Sequence, residues 1–142
     1  MKQDPIAALI KLARMKVDQA RATHSRAQAA ILHCGQAIQR LEAKITSERA
    51  HGEAMSGAAM GLADQGLIAL NANLKREQAA KIQLEALATQ TLHLLNQAIL
   101  AEERYAIHQA RLNKEKKRLQ QVREIAAQDD LHLARKRLTN HI

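Results

Sequence analysis

Seven histidines, one cysteine and fourteen carboxylates are the residues through which this chain could do chemistry. The histidines stand at 24, 33, 51, 93, 108, 132 and 141. No two are four apart, the spacing that sets a pair of metal ligands on one helix face. There is no His-Glu-x-x-His, no Cys-x-x-Cys and no glycine-rich phosphate loop. Cys34 lacks an activating base, because the adjacent His33 projects from another side of a helix; it reads as a small buried hydrophobe. His24 and His108 fall on apolar rows and read as half-buried seam histidines rather than ligands. No carboxylate pair can be assigned to a cleft, since a rod of two helices has none. The expectation is a protein without catalysis of its own, without metal or cofactor, and without a small-molecule substrate.

The elements that carry these residues follow from composition. In 142 residues there are 28 Ala, 19 Leu and 11 Ile, against one Tyr, two Val and no Phe or Trp. Strands draw on β-branched and aromatic residues, and compact cores draw on aromatics, so a β-rich fold and a doubly wound α/β enzyme are excluded. The one proline is Pro5, and four of five glycines fall between Gly52 and Gly66. Long helices remain, and the expected fold class is all-α: two long helices forming an antiparallel coiled-coil hairpin, a single domain spanning the chain. Two straight helices each contributing to a parallel dimer is the competing arrangement.

Helix 1 is expected over about 4–50. Asp4 before Pro5 offers a capping oxygen followed by a residue with φ already set and no donor to waste. A 4-3 repeat then runs for six heptads, the pattern of a coiled coil. One row holds Ile10, Val17, His24, Ile31, Ile38 and Ile45; the other holds Ile6, Ala13, Ala20, Ala27, Cys34 and Leu41, ending at Glu48. Alanine removes bulk from the second row and favours a tight contact. Gly35 costs about 1 kcal/mol relative to Ala and reads as a point of close approach.

Residues 51–66 hold four glycines and are expected to form a hinge with at most a short helical turn. From 67 to about 138 no Gly or Pro intervenes, allowing a second helix of roughly 105 Å at 1.5 Å per residue. Its best heptad row is Leu84, Thr91, Ala98, Tyr105, Leu112, Leu119, Ala126 and Leu133. The companion row is Leu87, Leu94, Ala101, His108, Glu115, Val122, Asp129 and Lys136, which becomes charged toward its end. Ile82, Leu92, Ile99 and Ala106 form a further stripe, so one partner helix does not cover every apolar face. Helix 2 is expected to outrun helix 1. The longest charge-free run, Ala86 to Ala101, contains Thr89, Gln90, Thr91, His93, Asn96 and Gln97. A membrane span needs about 20 mostly apolar residues, so no insertion into a membrane is expected. The opening Met-Lys-Gln-Asp-Pro has no apolar stretch, and the lone cysteine fits a reducing, cytoplasmic setting.

Charge is unevenly spread. Residues 1–26 carry six basic and two acidic residues, 27–103 six and eight, and 104–142 ten and four, for an overall +8. A hairpin gathers the first and last segments into one basic pole suited to an anionic partner. Arg14, Lys16, Arg21, Arg104, Arg111, Lys114, Lys117 and Arg118 are its candidate docking residues, with Arg104, Arg111 and Arg118 repeating every seven residues. The same charges also suit a solvated coiled-coil face. Nucleic acid is disfavoured as the partner, because stacking aromatics and a recognisable reading motif are missing.

The opening Pro-Ile-Ala-Ala-Leu-Ile-Lys-Leu-Ala-Arg-Met-Lys-Val-Asp-Gln-Ala resembles that of the type III secretion central-stalk family, flagellar FliJ and its injectisome counterparts. The stretch from Glu103-Arg104 through Arg111-Leu-Asn-Lys-Glu-Lys-Lys-Arg-Leu to Arg135-Lys-Arg-Leu is similar to that family's long basic second helix. The resemblance is one of plan and periodicity over nearly the whole chain. It implies a two-helix stalk whose terminal end enters the hexameric export ATPase ring and stimulates hydrolysis. It also implies a hinge side that meets the export gate protein and secretion chaperones, in a cytoplasmic location peripheral to the inner-membrane export apparatus. On that resemblance the basic pole faces the ATPase, and Met55, Met60 and Leu62 are the candidate hinge-side contacts. The alternatives from the residues alone are a generic coiled-coil adaptor or dimerising scaffold, and a basic coiled-coil protein that binds nucleic acid.

Overall fold

Asp4 begins the first helix in the way its position before Pro5 requires. Its Oδ1 accepts the Ile6 N–H at 3.0 Å, satisfying one otherwise orphaned donor, and its carbonyl accepts the Ala8 N–H at 3.3 Å as the first helical bond. The computed structural model describes residues 4–54 and 57–140. Two helices account for nearly all of them: α1, Pro5–Glu53, and α2, Ala58–Asn140, packed against each other. Among the described residues there is no strand. The all-α two-helix fold is the one expected. Contacts divide the chain into two compact units, Met15–Ala98 and Met1–Arg14 with Ile99–Ile142.

The larger unit is an antiparallel hairpin. On α1, Val17, Ala27, Cys34 and Ile45 are buried, and Ala20, His24, Ile31, Ile38 and Leu41 are half-buried. These are the two rows of the 4-3 repeat, while Glu48, at its end, is exposed. On α2 the covered positions include Leu67, Leu70, Leu74, Glu77, Lys81, Leu84, Ala88, Thr91, Leu95 and Ala98. Leu84, Thr91 and Ala98 belong to the row expected. Of the companion row Ala101 is half-buried, but Leu87 and Leu94 are 47% and 51% exposed, and Lys81, Ala88 and Leu95 take their place. Leucines lie on both sides of the first row, so hydropathy alone does not choose between them. The polar partners on α1 do, as described below.

In the smaller unit Ile10 and Ala13 are buried and Ile6 half-buried on α1. On α2, Ile99, Ala101, Glu102 and Gln109 are half-buried. Counting back from the Arg14–Glu102 ion pair, Pro5 comes level with Arg111, and exposure begins there: every residue over 110–140 is exposed. Leu112, Leu119 and Val122, expected on the seam, are therefore exposed, with no described part of α1 packed against them. Residues 110–140 are helical through propensity, being rich in Ala, Leu, Lys, Arg, Gln and Glu.

The connection is far shorter than the glycine count suggests, because α1 runs to Glu53 and α2 begins at Ala58. Gly57 has φ +72°, the left-handed conformation that reverses the chain. Gly52 is half-buried, and a Cβ built on it would meet Ala63 Cβ at 3.5 Å. Gly61 and Gly66 sit within α2 beside open space. Their helical cost is offset by Ala63, Leu67 and Leu70, half-buried at i, i+4 and i+7. Gly35 is likewise beside open space rather than at a close approach. Gly35→Ala should therefore raise stability by about 1 kcal/mol, whereas Gly57→Ala, which needs a positive φ, should lower it by about 1 kcal/mol or more. Thermal melts followed by circular dichroism distinguish the two glycines by the sign of the change.

Candidate functional site

Polar side chains on the seam set the register that positions everything else. Thr91 donates its hydroxyl to the Ala88 carbonyl at 3.0 Å and so accepts from His24 Nδ1 at 2.9 Å. That pattern assigns the His24 ring proton to Nδ1. The single S–H of Cys34 faces both the Glu77 carbonyl, at 3.2 Å, and Glu77 Oε2, at 3.3 Å. Burial pushes the Cys34 thiol above its usual pKa; the hydrogen bond to Glu77 and that residue's charge add to the rise, and Lys81 opposes it. Cys34 is thus a protonated, inert seam residue, 6% exposed. Arg14 reaches Glu102 at 3.5 Å within the smaller unit. Glu77 and Glu102 were invisible as seam residues because charged side chains are screened out of apolar rows.

The candidate docking residues fall into two groups. Lys16 and Arg21 are exposed on α1 within the larger unit. Arg14, Arg104, Arg111, Lys114, Lys117 and Arg118 are exposed in the smaller one, where Arg111, Lys114, Lys117 and Arg118 share a shallow groove with Glu115 and Gln121. Arg118 is already engaged, donating to Glu115 at 2.8 Å. The bond from Arg118 and then its charge hold the Glu115 carboxyl below its usual range, and the same bond raises Arg118. Both groups are exposed, so the pair adds little to stability. Residues 1–14 and 99–142 together carry thirteen basic and seven acidic residues, against nine and seven in 15–98. Positive charge is therefore concentrated in the smaller unit.

At the connection Met60 and Leu62 are 49% and 70% exposed, and Ile68, farther along α2, is exposed as well. Met55 lies outside the described residues. His108 is exposed on α2, not on a covered seam. Among the described residues no three His, Cys, Asp or Glu side chains gather as a metal would require. No described helix is long and apolar enough to cross a membrane. No protein-family model, curated protein or solved structure matches this chain.

The thiol supplies a direct check on the seam. Native protein should react with a thiol reagent far more slowly than protein in denaturant, and the rates should converge on unfolding. Because the folded chain holds the Cys34 proton to higher pH than the unfolded chain, stability should fall as pH rises past the ordinary thiol range. Cys34→Ala should flatten that alkaline limb of the melting-temperature profile.

Proposed function

We propose that this chain is a central stalk of a type III secretion export apparatus, a coupling rod that enters the hexameric export ATPase with its basic end. The observation that carries this reading is the C-terminal stretch of α2. Residues 110–140 are exposed throughout, and 104–142 carry ten basic against four acidic residues. A single helix of this kind fits a narrow channel lined with negative charge, where complementary potentials guide entry and set orientation. A rod seated in a ring can stimulate hydrolysis by binding one arrangement of the subunits better than another. The chain itself carries no catalytic step in this account.

The exposed Met60 and Leu62 support a second contact at the connection, with the export gate protein or secretion chaperones, since methionine adapts to varied partner surfaces. The location that follows is cytoplasmic, at the periphery of the inner-membrane apparatus. A coiled-coil adaptor or dimerising scaffold is the second reading, favoured by the unpartnered Leu112, Leu119 and Val122. It predicts concentration-dependent association in sedimentation.

Steady-state hydrolysis by the cognate export ATPase, with and without this protein, tests the proposal. Stoichiometric amounts should activate it severalfold. Changing Lys114, Lys117 and Arg118 together to Glu should abolish activation while helicity is retained, because all three are exposed. Full activation by the triple variant would remove the basic end from the mechanism.

A further inference from the structure

The exposed length of α2 has a heptad of its own. Taking Leu112, Leu119, Ala126 and Leu133 as the first seam position, the second is Glu115, Val122, Asp129 and Lys136. Leu112, Leu119, Val122 and Leu133 are 37%, 44%, 53% and 53% exposed, so this row is free to receive another helix. The positions flanking it over its first two heptads are Arg111, Lys116, Arg118 and Arg123, all basic and all exposed. In coiled coils the flanking charges choose the partner and its orientation.

We infer that this row binds an acidic amphipathic helix of another protein, with apolar residues at its own seam positions and carboxylates beside them. A second copy of this chain lying parallel is a poor occupant. In a parallel pair each Arg111 would meet the partner's Lys116, and each Arg118 the partner's Arg123, and like charges at those positions repel. An acidic helix converts every one of those contacts into attraction. Nucleic acid would use the same cations but leaves the leucine row facing nothing, and the arm lacks stacking aromatics. Glu115 is the one misfit in the first two heptads: docking must desolvate it, and its bond to Arg118 partly neutralises it. The inference does not rest on the export-ATPase reading, since an acidic helix can belong to any partner.

The probe is a labelled designed peptide of about 28 residues, four heptads with Leu on the seam and Glu beside it. A matched peptide has Lys in place of Glu, and a short DNA duplex serves as the polyanion control. Fluorescence anisotropy with the full chain should show saturable binding of the Glu peptide and none of the Lys peptide. Leu119→Gln with Val122→Gln should weaken binding about tenfold or more, with an unchanged melt because neither residue is packed in the fold. Glu115→Leu should tighten it, and Arg111→Glu, Lys116→Glu, Arg118→Glu and Arg123→Glu together should transfer preference to the Lys peptide. The proposal is overturned if the Glu peptide fails to bind, or if both peptides bind alike. It is equally overturned if only DNA binds and the Gln variant binds as well as the parent. Self-association of the chain that Leu119→Gln abolishes would assign the row to a second copy instead.

Discussion

Two long helices meet here along a row with very little side-chain bulk, and that constraint governs the rest. Ala13, Ala20, Ala27 and Cys34 alternate with Ile10, Val17, His24 and Ile31 along α1. Small residues allow close approach but bury little area, so a slip by one heptad loses little from the alanines themselves. The polar pairs penalise such a slip. Moved by seven, His24 would face Leu84 or Ala98 instead of Thr91, and Cys34 would face Leu70 or Leu84 instead of Glu77. Each correct hydrogen bond is worth about 0.5–1.5 kcal/mol net, while buried Thr91 keeps its bond to the Ala88 carbonyl in any register. The register is thus fixed by the bonds that the right alignment gains, His24 to Thr91 and Cys34 to Glu77.

Most of α1 is legible in the sequence because both of its rows repeat without interruption from Ile6 to Leu41. Half of α2 is legible. The row through Leu84, Thr91 and Ala98 is covered, but Leu87 and Leu94 have the hydropathy of seam residues and stay in water. Lys81, Glu102 and Gln109 occupy covered positions with long side chains whose stems pack while their ends remain polar. Identifying them requires knowing which α1 residue each one faces. The connection illustrates the opposite error. Four clustered glycines suggest a long loop, yet one of them, Gly57, makes the reversal, and Gly61 and Gly66 are absorbed into a helix that Ala63, Leu67 and Leu70 hold down.

The candidate site was legible as charge rather than as geometry. Counting basic residues locates the concentration in 104–142, but not the fact that Arg14 and Arg118 already have carboxylate partners. Nor does the count show that leucines share the exposed face with arginines. That combination distinguishes a helix-binding arm from a merely solvated one: apolar side chains supply affinity, and the flanking cations select among helices. The two proposals, an arm that binds one helix beside it and an arm that enters a ring, are compatible, because both need 110–140 to be left uncovered by α1.

Hydrogen exchange read by mass spectrometry, peptide by peptide on the dilute full chain, separates a packed seam from an uncovered arm. Amides around Val17–Ile45 and Leu67–Leu95 should be protected by the packed seam, while those over 110–140 should exchange orders of magnitude faster, because an unsupported helix opens locally at little free-energy cost. Protection over 110–140 equal to that of the seam would mean that α2 is covered along its whole length, and would contradict the account.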